Sequence, residues 1–141
     1  MNKTFTAIFS VILVLFIFSG CAAQGSEKLA SSFDESKVKT AAERAINLIN
    51  SGDYQKISDS MVREDLRKSI SADVLKKAAD QVMSKAGSFD SFSNEIVAGI
   101  NDAKAKQDYA VATVAAKYKS QTVTYTISFD TKMNIVGFYL K

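Results

Sequence analysis

Two aspartates and four tyrosines lie in or beside the predicted strands, where such side chains could transfer protons. The aspartates are Asp108 and Asp130, and the tyrosines are Tyr109, Tyr118, Tyr125 and Tyr139. A carboxylate in an apolar pocket can move a proton while tyrosine hydroxyls stabilise an oxyanion, as in a small isomerase or dehydratase. The alternative is structural, because Asp bonds its own backbone in turns and Tyr packs with its hydroxyl towards water. The sequence favours the structural interpretation and assigns no catalytic residue.

Other catalytic and binding chemistries lack the residues that they need. The chain has no His and one Cys, which excludes Ser-His-Asp and Cys-His arrangements and zinc sites built on those ligands. Asp59, Glu64 and Asp65 lack the spacing of a calcium loop. The glycines are scattered, unlike those of a phosphate-binding loop. The net charge is +3 with both signs mixed along the chain, unlike a nucleic-acid footprint. We therefore predict no metal, no cofactor and no nucleic-acid partner.

The first 21 residues have the features of an export signal. A short positive start precedes an apolar run over residues 7–18, and Ser19-Gly20-Cys21 follows. This order is typical of a secretory signal peptide, and the run is shorter than the about 20 residues of a spanning helix. The end of the segment resembles the lipobox of bacterial lipoproteins, with Phe18 where Leu is usual. The resemblance implies that residues 1–20 are removed and that the Cys21 sulfur receives a diacylglycerol lipid.

The chain therefore divides into three predicted parts. Residues 1–20 are a lipoprotein signal peptide, and residues 21–31 are small and polar, which is typical of a flexible spacer. Residues 32–141 hold the periodic apolar positions and form a single domain of ordinary size. The predicted location is outside the cytoplasm, with the exported protein anchored to the cell membrane through the lipid on Cys21.

Apolar residues at helical spacing predict three helices in the first half of the domain. Ser32 and Glu35 form a capping-box signature for the first helix, from about Asp34 to Ser51. Gly52 is expected to end this helix in a left-handed conformation. The remaining helix boundaries are predicted at Asp53, Ser71 and Gly87.

The periodicity changes to that of strands from Phe92 onward. Strict alternation of apolar residues with Thr or Ser predicts one dry and one wet face for the third strand, whose apolar residues are Val123, Tyr125, Ile127 and Phe129. One face of the first strand is predicted to carry Phe92, Ile96, Ala98 and Ile100. Tyr109–Tyr118 and Ile135–Leu140 are the other two strands. Helices followed by hairpin-linked strands predict an α+β fold, with N-terminal helices packed on an antiparallel sheet of about four strands.

Three segments together resemble a bacterial family of unknown function, often found ahead of an alpha/beta hydrolase domain in exported proteins. They are Asn50-Ser51-Gly52-Asp53-Tyr54, Ala86-Gly87-Ser88-Phe89, and the final hairpin from Phe129 to Tyr139. The resemblance implies a cystatin-like, nuclear transport factor 2-like cone, in which a curved sheet wraps a long helix. It transfers no catalytic residues, and we expect no hydrolase chemistry, because residues 32–141 resemble only the domain that precedes the hydrolase. The final turn usually carries Gly; here Met133-Asn134 takes its place, and Asn134 can adopt the left-handed conformation.

Three classes of function stay open. The favoured class is a non-catalytic binding or interaction module, whose ligand is an unknown small molecule, peptide, glycan or protein. The second class is the isomerase- or dehydratase-like enzyme with a pocket carboxylate. The third is a self-associating structural domain, for example a homodimer, because open sheets of this kind often pair face to face. A closed apolar cavity with a buried, unpaired carboxylate would favour the enzyme, and an open groove would favour the binding module.

Overall fold

Three helices precede a four-stranded antiparallel sheet in the computed structural model, which describes residues 27–141. The helices are α1 (Glu35–Ser51), α2 (Tyr54–Ser60) and α3 (Ala72–Met83), with a 3-10 turn at Glu64–Leu66 between α2 and α3. The strands are β1 (Phe89–Asp102), β2 (Gln107–Tyr118), β3 (Thr122–Phe129) and β4 (Ile135–Leu140). The α+β prediction is confirmed. The predicted signal peptide, Cys21 and spacer residues 21–26 lie outside the described residues.

The ends of α1 show which local signals fix the helix. Asp34, not Ser32, is the N-cap, and its Oδ1 accepts a bond from the Lys37 N–H at 3.0 Å. The predicted capping box at Ser32 is therefore wrong. With the cap at Asp34, the preceding Phe33 packs in the core. Gly52 ends α1 with φ 76°, the left-handed conformation that the sequence predicts.

The caps of α2 and α3 follow the sequence more closely. Asp53 caps α2, and Ser71 caps α3 by accepting from the Val74 N–H. The helix α3 ends at Met83, four residues before Gly87, which has φ 80° in the loop that leads to β1. The predicted stop at Gly87 therefore marks this loop and not the helix end.

The sheet has the order β1-β2-β3-β4, and every neighbouring pair is antiparallel. We call the face that packs against α1 the inward face and the opposite face the outward face. All four predicted apolar residues of β3 lie on the inward face and are fully buried: Val123, Tyr125, Ile127 and Phe129. They meet the buried stripe of α1, which is Val38, Ala42, Ala45, Ile46 and Ile49. The alternation of β3 is therefore confirmed.

The predicted face of β1 is wrong in one respect. Phe92 pairs with the buried Ala116 and packs inward, whereas Ile96, Ala98 and Ile100 lie on the outward face. The register of β1 shifts between Phe92 and Asn94. A bulge adds one residue to a strand, and one extra residue exchanges the two faces beyond it. A simple alternation could not indicate this shift.

Short backbone bridges hold both edges of the sheet. At the β4 edge, Arg63 N–H donates to Ile135 O at 3.0 Å, and Ile135 N–H donates to Met61 O at 2.7 Å. At the β1 edge, Glu27 and Gly99 exchange two bonds of 3.1 and 2.8 Å. Leu29 and Ala30 then pack against the core. We call residues 27–30 the N-terminal strap; they lie against the domain, although the sequence predicts a free spacer as far as residue 31.

Phe129 and Phe138 offer a test of the core. Both are buried, and they pair with Ile135 and Ile127 of the neighbouring strands. We expect Phe129→Ala and Phe138→Ala each to lower the free energy of unfolding by about 3–5 kcal/mol, measured by urea denaturation. Ile96→Ala is the control, because Ile96 is 55% exposed and the change should cost less than about 1 kcal/mol. A similar cost at all three positions would contradict the assigned faces.

Candidate functional site

Asp130, the first carboxylate predicted at a strand end, holds the β3–β4 turn together. Its side chain is 3% exposed, and its Oδ1 accepts from the backbone N–H groups of Lys132 and Asn134, both at 2.9 Å. Its Oδ2 accepts from Asn134 Nδ2 at 3.2 Å. Met133, not Asn134, has the left-handed conformation, with φ 64°. The prediction that Asn134 adopts the left-handed conformation is therefore wrong. Its backbone N–H and its side-chain amide both donate to Asp130.

Asp108, the second predicted carboxylate, lies in the β1–β2 hairpin and accepts from Asn101 Nδ2 at 2.7 Å. Tyr118 lies ten residues further along β2, which is about 33 Å of extended strand. Asp130 similarly follows Tyr125 by five residues, about 17 Å. A general acid or base must lie within hydrogen-bond reach of the atom on which it acts. The structure therefore does not bring these aspartates within reach of Tyr118 or Tyr125.

The four tyrosines divide between the two faces of the sheet. Tyr118 and Tyr125 are buried on the inward face. Tyr109 and Tyr139 lie partly buried on the outward face, opposite Ile100 and Thr126. The Tyr109 hydroxyl is 3.3 Å from Gln107 Oε1. One pocket cannot collect hydroxyls from both faces of a continuous sheet.

The two inward tyrosines form a polar network with Asn50 at the C-terminal end of α1. The Tyr118 hydroxyl donates to Asn50 Oδ1 at 2.6 Å and lies 2.7 Å from the Tyr125 hydroxyl, which is 3.6 Å from Met83 Sδ. Burial raises the pKa of the Tyr118 hydroxyl. Burial also raises the pKa of the Tyr125 hydroxyl, and the neighbouring Tyr118 hydroxyl raises it further. The phenols are therefore neutral at physiological pH. The network joins α1 and α3 to β2 and β3, a structural role.

A carboxyl pair that the sequence did not predict lies between α1 and β1. Glu95 is partly buried, and its Oε1 has no hydrogen-bond partner within residues 27–141. Burial raises the pKa of Glu95, the adjacent Glu43 carboxyl raises it further, and Lys39 opposes both effects. Lys39 also forms an ion pair with Glu35 at 2.7 Å. Two like charges at a partly dry interface favour a proton on Glu95.

An open groove of about 630 Å³ runs beside the first turns of α1. We call it the α1 groove. Ala41, Met61 and Met133 give it an apolar floor, and Lys37 and Arg44 stand at its rim. Neither cation forms an ion pair within the part of the chain that the structure describes. The remaining lining is polar: Asp34, Ser36, Thr40 and Ser60. A depression of about 410 Å³ continues along α1 and shares Thr40 and Arg44 with the groove.

A further cleft of about 510 Å³ lies at the other end of the sheet, beside Tyr118. Its walls include Asp90, Lys117 and Lys119. The backbone there is already paired, because Lys119 N–H donates to Ser88 O and Ser120 N–H to Ala86 O. Few backbone donors are left for a ligand in this cleft, so the α1 groove is the better candidate.

Residues 27–141 also bear on metal binding and on membrane insertion. No group of three or more Asp, Glu, His or Cys side chains is placed to hold a metal ion in this part of the chain. No helix in the same range is long and apolar enough to cross a membrane. Cys21, the predicted lipid site, lies outside the described residues.

The fold and its grooves define a small α+β domain. The chain belongs to the family described as Protein of unknown function (DUF3887), which matches residues 42–138. Among solved structures it is similar to the NMR structure of a protein from Ruminococcus gnavus ATCC 29149, with 25% identity and a TM-score of 0.70. That match covers 80% of this chain and 96% of the other. None of the curated proteins matches the chain. The predicted membership of a family of unknown function is confirmed.

The Glu43–Glu95 pair predicts a dependence of stability on pH. Because the folded-state pKa of Glu95 is raised, its stabilising contribution is complete below the unfolded-state pKa of about 4.3. That contribution is lost as pH rises through the folded-state value. We therefore expect Glu95→Gln to be more stable than the native chain at neutral pH and to lose this advantage below about pH 4.

Urea denaturation across this pH range measures the effect. Glu64→Gln is the matched control, because Glu64 is an exposed carboxylate on the 3-10 turn. Its effect should not change with pH in the same way. A Glu95→Gln variant that is less stable than the native chain at neutral pH would contradict the description of the pair.

Proposed function

We propose that the protein is an exported lipoprotein, anchored outside the cytoplasm by a lipid on Cys21, whose domain binds a ligand without turnover. The lipobox-like Ser19-Gly20-Cys21 supports the anchor. The match to a family of unknown function supports the domain assignment over residues 42–138 and suggests no chemistry. We further infer that the domain is of the nuclear transport factor 2-like, cystatin-like type, since a sheet packed on a long first helix agrees with that resemblance.

The α1 groove carries the binding proposal. It combines an apolar floor with two cations, Lys37 and Arg44, that lack ion-pair partners within the described residues. An apolar groove with a few charged groups is the usual form of a site that orients a ligand. A ligand with an apolar body and a carboxylate or phosphate would satisfy both features. Small molecules, peptides, glycans and proteins that carry such a group are all candidates.

The enzyme alternative now depends on Glu95 alone. Asp108 and Asp130 accept hydrogen bonds within their own hairpins, whereas Glu95 has a buried oxygen without a partner within residues 27–141. Glu95 lines none of the three clefts described above. A general base must reach its substrate. The position of Glu95 outside these clefts therefore favours a structural interpretation over catalysis.

Changing Cys21 tests the membrane anchor. We expect Cys21→Ser to lack the acyl group and to appear in the soluble or uncleaved-precursor fraction, because the hydroxyl cannot form the thioether. Cell fractionation and intact-protein mass spectrometry measure the two effects. A processed Cys21→Ser protein that lacks residues 1–20 and stays in the membrane would contradict the anchor.

Charge reversal at the groove rim tests the binding proposal. The mature protein is screened by thermal shift against acyl carboxylates, anionic peptides and anionic glycans. Any ligand found should bind at least about tenfold more weakly to Lys37→Glu/Arg44→Glu, because a bond between opposite charges contributes about 1.5–3 kcal/mol. Lys68→Glu/Lys85→Glu is the matched control, with the same charge change at exposed sites outside the groove. Equal losses in both double variants would contradict a site in the groove.

A further inference from the structure

The N-terminal strap fixes the point at which the chain enters the domain. Glu27 bonds to Gly99 through two backbone hydrogen bonds on the outer edge of β1. A Cβ at Gly99 would lie 2.5 Å from the Lys28 carbonyl oxygen and 3.1 Å from Leu29 Cα. These distances are shorter than van der Waals contact with backbone atoms that cannot rotate away. Only glycine lets the strap approach this strand so closely.

The length of chain before the strap limits how far the domain can move from its anchor. Five residues separate Cys21 from Glu27. Fully extended, this segment spans about 20 Å. A domain of this size is about 35 Å across. Because this tether is shorter than the domain is wide, the β1 edge stays closer to the bilayer than the opposite side of the domain does.

The same edge carries an uncovered apolar row. Ile96, Ala98 and Ile100 lie side by side on the outward face of β1, and Ile96 is 55% exposed. Their partners on β2 are Thr113, Val111 and Tyr109, which are uncharged, and the exposed Glu27 and Lys28 of the strap lie beyond them at the same edge. Gly99 stands between the last two residues of the row in sequence, but it pairs with the buried Ala110 and belongs to the inward face. The chain from the anchor therefore meets the domain at the edge of β1, whose outward face carries the row.

From this geometry we propose that the β1 edge rests on the lipid bilayer, with Ile96 in the headgroup region. The proposal rests on the lipid at Cys21. A diacylglycerol already supplies two acyl chains and holds the protein on the membrane, so a second contact would serve to orient the domain. The row is an unsuitable centre for a stable dimer, which buries about 800 Å² per partner. Three side chains, two of them already partly buried, expose much less. The α1 groove lies on the other side of the sheet and would face away from the bilayer.

Tryptophan fluorescence can report this contact, because the chain has no Trp. The mature lipidated protein is placed in phosphatidylcholine–phosphatidylglycerol vesicles with brominated acyl chains, which quench only nearby indoles. We expect Ile96→Trp to be quenched at least about twofold more than Asn47→Trp and to shift to shorter emission wavelength, as for Trp in a membrane interface. Asn47 is exposed on α1, across the sheet from the row. Equal quenching at the two positions would overturn the inference.

Two further changes separate the strap from the lipid. Gly99→Ala should displace the strap, and a ten-residue Gly-Ser insertion between Gln24 and Gly25 lengthens the tether without altering any described residue. Either change, made with Ile96→Trp, should reduce quenching towards the Asn47→Trp level. Unchanged quenching with the insertion overturns the orienting role of the tether, even if Gly99→Ala fails to fold.

The remaining outcomes distinguish this inference from the proposed anchor. Protein that does not bind the vesicles overturns both the lipid anchor and the bilayer contact. Protein that binds without preferential quenching at Ile96→Trp overturns the bilayer contact alone. A mass in detergent that doubles with concentration, together with loss of that quenching, would show that a second copy covers the row and would also overturn it.

Discussion

Burial of one face of the sheet beneath α1 is the constraint on which the other features depend. The inward residues of β3 are fully buried, and each large apolar side chain removed from water contributes about 1.5–3 kcal/mol. The facing residues Ala42 and Ala45 are small, so the helix can lie close to the sheet. The two inward tyrosines fill the space near the end of α1. The interior is filled in this way, and the grooves described above lie at the rims.

The same close packing explains why the polar groups of the interior are paired or neutral. Tyr118, Tyr125 and Asn50 bond to one another because an unpaired hydroxyl in the core is costly. Within residues 27–141, three buried atoms depart from this rule: Asn50 Nδ2, Ser128 Oγ and Glu95 Oε1. Of these, Glu95 is the ionisable one, and it shares its interface with Glu43. Glu95 lies where α1 crosses the edge strand β1, which is less dry than the centre of the sheet. Its unpaired oxygen therefore destabilises the fold less than it would at the centre. The departure is therefore tolerable without a catalytic reason.

Several features were readable from the sequence because their cause is local. The alternation of β3, the caps at Asp53 and Ser71 and the end of α1 at Gly52 depend on neighbouring residues only. The Glu43–Glu95 contact joins residues 52 positions apart and has no periodic signal. The bulge in β1 and the strap were missed for the same reason. Gly99 was the one available signal, because an isolated glycine within a strand suggests a close backbone approach.

The bridge at Gly99 also bears on how a tethered domain could work. A free spacer as far as residue 31 would let either side of the domain face the bilayer, whereas docking residues 27–30 on β1 shortens the reach to about 20 Å. The two apolar surfaces then lie on opposite faces of the sheet: the β1 row is on the outward face of the edge strand, and the α1 groove is on the inward side. Given a lipid on Cys21, the bridge at Gly99 would thus limit how far the β1 edge can lie from the bilayer.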